Sequence, residues 1–361
     1  MAVAAADSYP LSASLSYDNF GTRTLSENRL SLVIDKGNTI TDGDAIRLIG
    51  VTGLDRIDLD KLSYGRIDYI IPVDYNGTKA GIYYANSLYE AGKDLAYLKI
   101  NGKADVAGIY ITNPIIKTAD TTLNLKLAFE YKDVYDYMLD STRSQDKIRN
   151  ISLGINYDTT DNLILSQTAR NNIGLSYYRG IQNLTGGTGR NDPKASRLHA
   201  DPEFNKYTLD IIRIQKLISY NHLIIKASGQ YSPEPLFIAE QYTIGGAGSV
   251  RGFNPSTYSG DSGYSATLEF QMSPILPDET IFNQRVGDTL KIALFADTGG
   301  IFTNDRQPGE AEDDYLASIG VGIRIYYGKN FSARIDQAWP EKDGIYKNKN
   351  AETYLQATMS F

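Results

Sequence analysis

Few residues in this sequence are able to do acid–base or ligand chemistry, and their placement says more than their number. There is no cysteine, and the two histidines, His199 and His222, fall in different segments. Disulfides, thiolate nucleophiles and thiolate-bound zinc are thereby excluded, and a histidine-centred catalytic site is disfavoured. The feature that stands out is the run Ile244-Gly245-Gly246-Ala247-Gly248-Ser249-Val250-Arg251-Gly252-Phe253, which gathers four glycines, one arginine and one aromatic. Glycines permit positive φ and close backbone approach, so the run predicts a loop of fixed shape in which Arg251 needs an anionic partner. A phosphate cradle does not fit, because no helix-forming segment follows Gly252. Glu234 and Glu240, beside Pro233 and Pro235, read as solvated loop carboxylates.

The elements that must position this loop have a period of two. Leu11, Ala13, Leu15 and Tyr17 alternate with Ser12, Ser14, Ser16 and Asp18, the mark of a strand with one apolar and one polar face. The pattern recurs near 27–35, 45–52, 63–75 and 79–89, with the hairpin dipeptide Asn76-Gly77 between the last two. It continues near 104–112, 123–131 and 151–157, with a polar loop expected at 138–146, and then at 171–180, 205–218 and 222–231. After the loop 232–261 it resumes at 262–272, 289–299, 314–328, 330–338 and 352–361. Sixteen strands in 361 residues leave about 22 residues for each strand and its connection. That accommodates the ~9–11 residues of a tilted membrane strand, and an even count lets the two ends meet antiparallel.

Composition says which side faces what. The chain carries 27 Tyr against 11 Phe and 1 Trp, 32 Gly, and a net charge of -7. Tyrosine, apolar in its ring and polar at its tip, suits the boundary between hydrocarbon and water. No stretch approaches the ~18 uninterrupted apolar residues of a membrane helix, so a membrane-spanning form must be a barrel. The polar faces are rich in Ser, Gly, Asn and Tyr with mixed charges, as befits a hydrated lumen. Scattered Lys and Arg in an acidic chain argue against nucleic acid as a partner, and no cofactor or metal ion is expected. The fold predicted is all-β, a sixteen-stranded antiparallel transmembrane β-barrel occupying residues 1–361, with a long extracellular loop folded into the lumen.

Parity along two strands supplies acceptors for the arginine. If Ile292, Leu294 and Ala296 face lipid, then Lys291, Phe295 and Asp297 face the lumen; if Ala266, Leu268 and Phe270 face lipid, then Thr267, Glu269 and Gln271 face inward. A guanidinium inserted there would grip a carboxylate with two N–H groups, which a lysine cannot do. The last strand alternates Leu355, Ala357, Met359 and Phe361 with polar residues, and its terminal Phe361 reads as an outer-membrane assembly signal.

The run Gly248 to Phe253, between the eleventh and twelfth of sixteen strands, resembles the signature loop of two-partner secretion transporters (the TpsB family), of the superfamily that also holds the barrel-assembly insertases. Further stretches are similar to family features. Asp18-Asn19-Phe20-Gly21 resembles the opening of the first hairpin, Gly43-Asp44 the turn before the third strand, and Asn113-Pro114-Ile115-Ile116-Lys117 a proline-plus-basic turn after the sixth. Phe295-Ala296-Asp297-Thr298-Gly299 is similar to the aromatic-x-Asp-x-Gly motif of the thirteenth strand.

The resemblance implies that the sixth extracellular loop enters the barrel with Val250, Arg251, Gly252 and Phe253 at its working end, Arg251 meeting Asp297 with Glu269 as the second acceptor. It also implies a function: nucleotide-independent export of a large, unfolded partner exoprotein (TpsA type) from periplasm to cell surface, the cargo being an adhesin, a haemolysin or a contact-dependent inhibition toxin. A monomer in the outer membrane of a Gram-negative bacterium is expected, surrounded by lipid and lipopolysaccharide and inserted by the barrel-assembly machinery. The N-terminal plug helix and POTRA domains that the resemblance implies are not in this sequence, and no export leader is legible at Met1–Ala6. An insertase or a passive diffusion porin are the rival readings. A hydrolase would need a nucleophile and base that the residues do not offer.

Overall fold

The computed structural model describes residues 11–361 except 56–61, 165, 275–277, 282–283, 311 and 342–349. Sixteen strands form one closed, antiparallel barrel in sequence order. They are β1 (Leu11–Asp18), β2 (Arg29–Gly37), β3 (Ala45–Gly53), β4 (Leu62–Pro72), β5 (Lys79–Glu90), β6 (Asn101–Lys117), β7 (Thr121–Met138), β8 (Ser141–Asp161), β9 (Ala169–Gly180), β10 (Asn205–Lys216), β11 (His222–Tyr231), β12 (Ser262–Met272), β13 (Leu290–Phe302), β14 (Asp313–Tyr327), β15 (Phe331–Pro340) and β16 (Glu352–Ser360). β1 closes on β16 through the register Ser14↔Ser360 to Asp18↔Gln356. Closure leaves no sheet edge, which is what lets an extended backbone exist in hydrocarbon.

The alternation read from sequence becomes two surfaces. Leu15, Ile82, Ile109, Leu153, Leu268 and Leu294 are exposed on the outside, while Asp68, Glu269, Lys291, Asp297 and Asp336 are buried. For a soluble protein the apolar set would be a large solvation penalty; facing lipid it is the favourable side.

Three expectations need correction. The polar loop expected at 138–146 is mostly strand: β7 and β8 run 18 and 21 residues and leave only Leu139 and Asp140 between them. Polar residues carry the extension because they pair across it, Ser144 donating to Asp136. The run Asn113 to Lys117 lies inside β6 rather than in a turn. Pro114 is absorbed by a register irregularity between Pro114 and Ile116, which accommodates a residue without an N–H. Finally, Glu240 is buried, not solvated: its carboxylate receives Lys132 Nζ at 2.6 Å and also pairs with Lys206. Burial alone would raise its pKa, but the two ammonium groups outweigh this and hold it down to about 2.

The segment 232–261 contains a small two-stranded hairpin, Tyr242–Ile244 with Tyr258–Gly260. Its side chains build an apolar cluster with the barrel wall: Ile244, Val250, Phe253 and Tyr258 against Ile301 and Leu316. That cluster brings the arginine run to the inward faces of β12 to β15.

Candidate functional site

Arg251 is held by the inner wall on several sides. Its Nε donates to Asp297 Oδ2 at 2.7 Å and its Nη2 to Asp297 Oδ1 at 3.0 Å, a two-pronged grip that a lysine cannot reproduce. The Arg251 backbone N–H adds a third bond to Asp297, at 3.2 Å. Nη1 reaches Glu269 at 3.1 Å and Asp336 at 3.3 Å, and the guanidinium carbon lies 3.3 Å from the centroid of the Phe295 ring, stacked as a cation on an aromatic face. Arg251 is 5% exposed and Asp297 3%. Water therefore screens this set weakly, and its geometry carries energetic weight.

Strand register explains why the carboxylates converge. Thr267 pairs Asp297 and Glu269 pairs Phe295 between β12 and β13, Asp297 pairs Ser318 between β13 and β14, and Gly322 pairs Asp336 between β14 and β15. All three acids point inward, Glu269 and Asp297 from adjacent strands and Asp336 from β15, with β14 between. The small residues between them make room: a Cβ on Gly320 would lie 2.1 Å from the Phe295 ring. Gly252 takes φ +91°, a left-handed conformation that turns the chain immediately after the arginine. Its N–H donates to the Tyr354 hydroxyl at 2.9 Å, and that hydroxyl donates to the Phe253 carbonyl at 3.0 Å. Val250 packs against Gly299, where a Cβ would sit 3.1 Å from Val250 Cγ2.

The predicted residues Val250, Arg251, Gly252, Phe253, Phe295, Asp297, Gly299 and Glu269 thus lie in one neighbourhood. Phe361 lies apart from them, 69% exposed at the end of β16, its N–H donating to the Ala13 carbonyl at 2.8 Å.

Three participants escaped sequence reasoning: Asp336, Arg324 and Tyr354. Arg324 binds Glu269 through Nη2 at 2.8 Å and Nε at 3.1 Å, and Asp336 through Nη1 at 2.6 Å. Two guanidiniums and three carboxylates thus form one network. Inward parity is a legible signal for both charged residues, since Arg324 alternates with outward Val321 and Ile323, and Asp336 with outward Ile335 and Trp339. Each of the three carboxylates is paired with at least one guanidinium, so the arrangement holds the arginine run against the wall.

A second clamp lies nearer the outer rim. Arg197, from the connection 181–204, donates from Nη1 to both carboxylate oxygens of Asp261 at 3.0 and 3.1 Å and from Nε to Glu310 at 2.8 Å. It ties together three surface connections.

The sequence model described as "Haemolysin secretion/activation protein ShlB/FhaC/HecB" matches residues 2–325. The chain belongs to this haemolysin secretion/activation family. The barrel spans the outer membrane of a Gram-negative cell. Among relatives, the heme/hemopexin transporter protein HuxB of Haemophilus influenzae is 26% identical over 362 residues, covering 98% of this chain and 61% of that protein. The outer membrane transporter CdiB of Dickeya dadantii is 26% identical over 204 residues, 55% of this chain and 32% of that one. The solved structure of CdiB from Escherichia coli superposes with a TM-score of 0.76 at 17% identity, covering 99% of this chain and 64% of that one, which speaks to the fold. This member of the family spans about three fifths of the length of HuxB.

Proposed function

We propose that this barrel is the membrane channel of a two-partner secretion system, exporting a large exoprotein of the TpsA type from periplasm to cell surface without nucleotide hydrolysis. The observation that carries the reading is the arginine run of segment 232–261, anchored by Arg251 to Asp297 in a chain of the haemolysin secretion/activation family. The family description names haemolysin secretion, HuxB is named as a heme/hemopexin transporter and CdiB as an outer membrane transporter, which together support secretion through the outer membrane here. The cargo class comprises adhesins, haemolysins and contact-dependent inhibition toxins.

In this reading the segment 232–261 is an internal latch. A lumen of sixteen strands passes an extended chain only when the material inside it moves, and a polar network released as a unit is a suitable catch. Val250 and Phe253 seat the run in its apolar cluster, Gly252 supplies its bend, and Asp297 with Glu269 receives its charge. Phe361 serves as the recognition end for the barrel-assembly machinery. The channel works as a monomer among lipid and lipopolysaccharide, and catalyses no reaction.

The test is secretion of the cognate exoprotein by cells carrying Arg251→Ala, scored together with the amount of folded barrel. The expected result is a folded barrel with export lowered at least about tenfold, since even one bond to a charged group is worth about 1.5–3 kcal/mol and Arg251 makes several. Export at the wild-type rate would overturn the latch. Single-channel conductance separates the porin, which predicts an open pore insensitive to this residue.

A further inference from the structure

Beside the arginine network lies a cavity of about 250 Å³ whose charges do not balance. Lys226 and Arg334 line it together with Ser249, Thr267, Ser332 and Gln356. Arg251 and Arg324 are committed to Glu269, Asp297 and Asp336. By contrast, Lys226 forms no ion pair with a described residue. Arg334 stacks on the Phe20 ring at 4.7 Å, while its buried Nε has no hydrogen-bond partner among the described residues. A guanidinium stays charged at any physiological pH, and a buried N–H without an acceptor is costly, so the site is poised for an anion. In a chain of net charge -7 this is a local reversal of sign.

The neighbouring wall decides between a small anion and an acidic polypeptide. Lys226 pairs with Ile212 across β10 and β11, and Ile224 pairs with Ile214. Register on the other side sets Lys226 opposite Thr267 and Ile224 opposite Glu269, so these isoleucines share the inward face with Glu269. Ile212 and Ile214 are 38% and 40% exposed there. Apolar side chains on an otherwise hydrated inner wall gain nothing from a free anion, but they gain from burial under another apolar side chain.

We propose that this cavity and the adjoining wall form a recognition site for an extended polypeptide segment bearing both carboxylate and branched apolar side chains. Lys226 and Arg334 take its carboxylates, and Ile212, Ile214 and Ile224 cover its apolar groups. Ser249 and Gly248, at the tip of the arginine run, form part of the same lining. An occupying segment therefore touches the latch directly, coupling cargo arrival to the state of Arg251. The inference rests on the transport reading above, whose passing exoprotein would supply the segment.

The test uses the folded chain in detergent micelles and a fluorescein-labelled hexapeptide alternating glutamate and isoleucine, with fluorescence anisotropy as the readout. The glutamate peptide is expected to bind about tenfold or more tightly than its glutamine–isoleucine counterpart, and the double variant Lys226→Gln/Arg334→Gln is expected to lose about that factor. Acetate at equal carboxylate concentration should leave the peptide bound. Equal binding of the two peptides overturns the proposal without requiring any variant to fold. So does wild-type affinity in a double variant that retains heat-modifiable electrophoretic mobility. Displacement by acetate would assign the cavity to a small free anion and overturn the polypeptide site. Cells that export nothing while the chain binds the glutamate peptide would sink the transport reading and leave the site standing.

Discussion

Arg251 and Arg324 share two carboxylates: Glu269 Oε2 receives both guanidiniums, at 3.1 and 2.8 Å, and Asp336 receives one on each oxygen, at 3.3 and 2.6 Å. One arginine arrives on a loop and the other on a wall strand, so Arg324 alone still faces both acids if Arg251 is removed. Such sharing permits a buried ion pair to break without leaving Glu269 and Asp336 wholly unpaired. Asp297 has no such second cation among the described residues and is the acid most vulnerable to removal of Arg251.

This asymmetry gives the first prediction. Arg251→Ala strands Asp297 at 3% exposure, and leaving a buried charge unpaired costs about 3–5 kcal/mol. Arg324→Ala removes charge from two acids that retain Arg251 and should cost less. Urea unfolding of the two variants in lipid vesicles measures the difference. Equal destabilisation would mean that the network does not divide in this way.

A tighter steric test sits on β14. Gly320→Ala places a methyl against the Phe295 ring, where a Cβ would lie 2.1 Å from the nearest ring carbon. The ring must move, and with it the aromatic surface beneath Arg251. Overpacking of this kind costs about 1–3 kcal/mol. Combining it with Phe295→Leu should recover part of that stability, and a double-mutant cycle showing strict additivity would contradict the packing of these two residues.

Glu240 predicts a pH window. Its ordinary value is 4.5 and its folded value about 2: burial opposes the charged form, but Lys132 and Lys206 more than compensate. A carboxyl lowered on folding stabilises fully above its unfolded pKa and loses that contribution as pH falls through the folded value. Between pH 4.5 and about 2, segment 232–261 should therefore become progressively more accessible to pepsin. Glu240→Gln should already be loosened at neutral pH and should lack this part of the acid response. An identical pH profile in both proteins would show that the ion pairs do not anchor the segment.

The outer clamp is testable separately. Arg197→Ala leaves Asp261, fully buried, without its guanidinium, again about 3–5 kcal/mol of local stability. Hydrogen exchange should rise in 196–204 and 303–310 while amides in β6 to β8 remain protected. Uniform exchange across the barrel would show that the clamp belongs to the global fold instead.

Much of the architecture is already legible in the alternation of the chain, because strand faces are set locally: a period of two is imposed by the pleat whatever the partner strand. That is why sixteen segments, the inward parity of Glu269, Phe295 and Asp297, and an arginine needing a carboxylate were readable residue by residue. What the tertiary structure decided is which inward groups meet. Arg251 bonds to residues 18, 46 and 85 positions away, and those encounters depend on barrel curvature and on how segment 232–261 descends. The same dependence made Glu240 look like a solvated loop acid until Lys132 and Lys206 closed on it from two strands. The extended pairing of β7 with β8 was hidden for a related reason: its polar residues satisfy one another across the hairpin, and composition alone cannot distinguish a paired polar strand from a loop. Alternation is a property of neighbours in sequence, whereas charge pairing in a lumen is a property of walls brought face to face by closure.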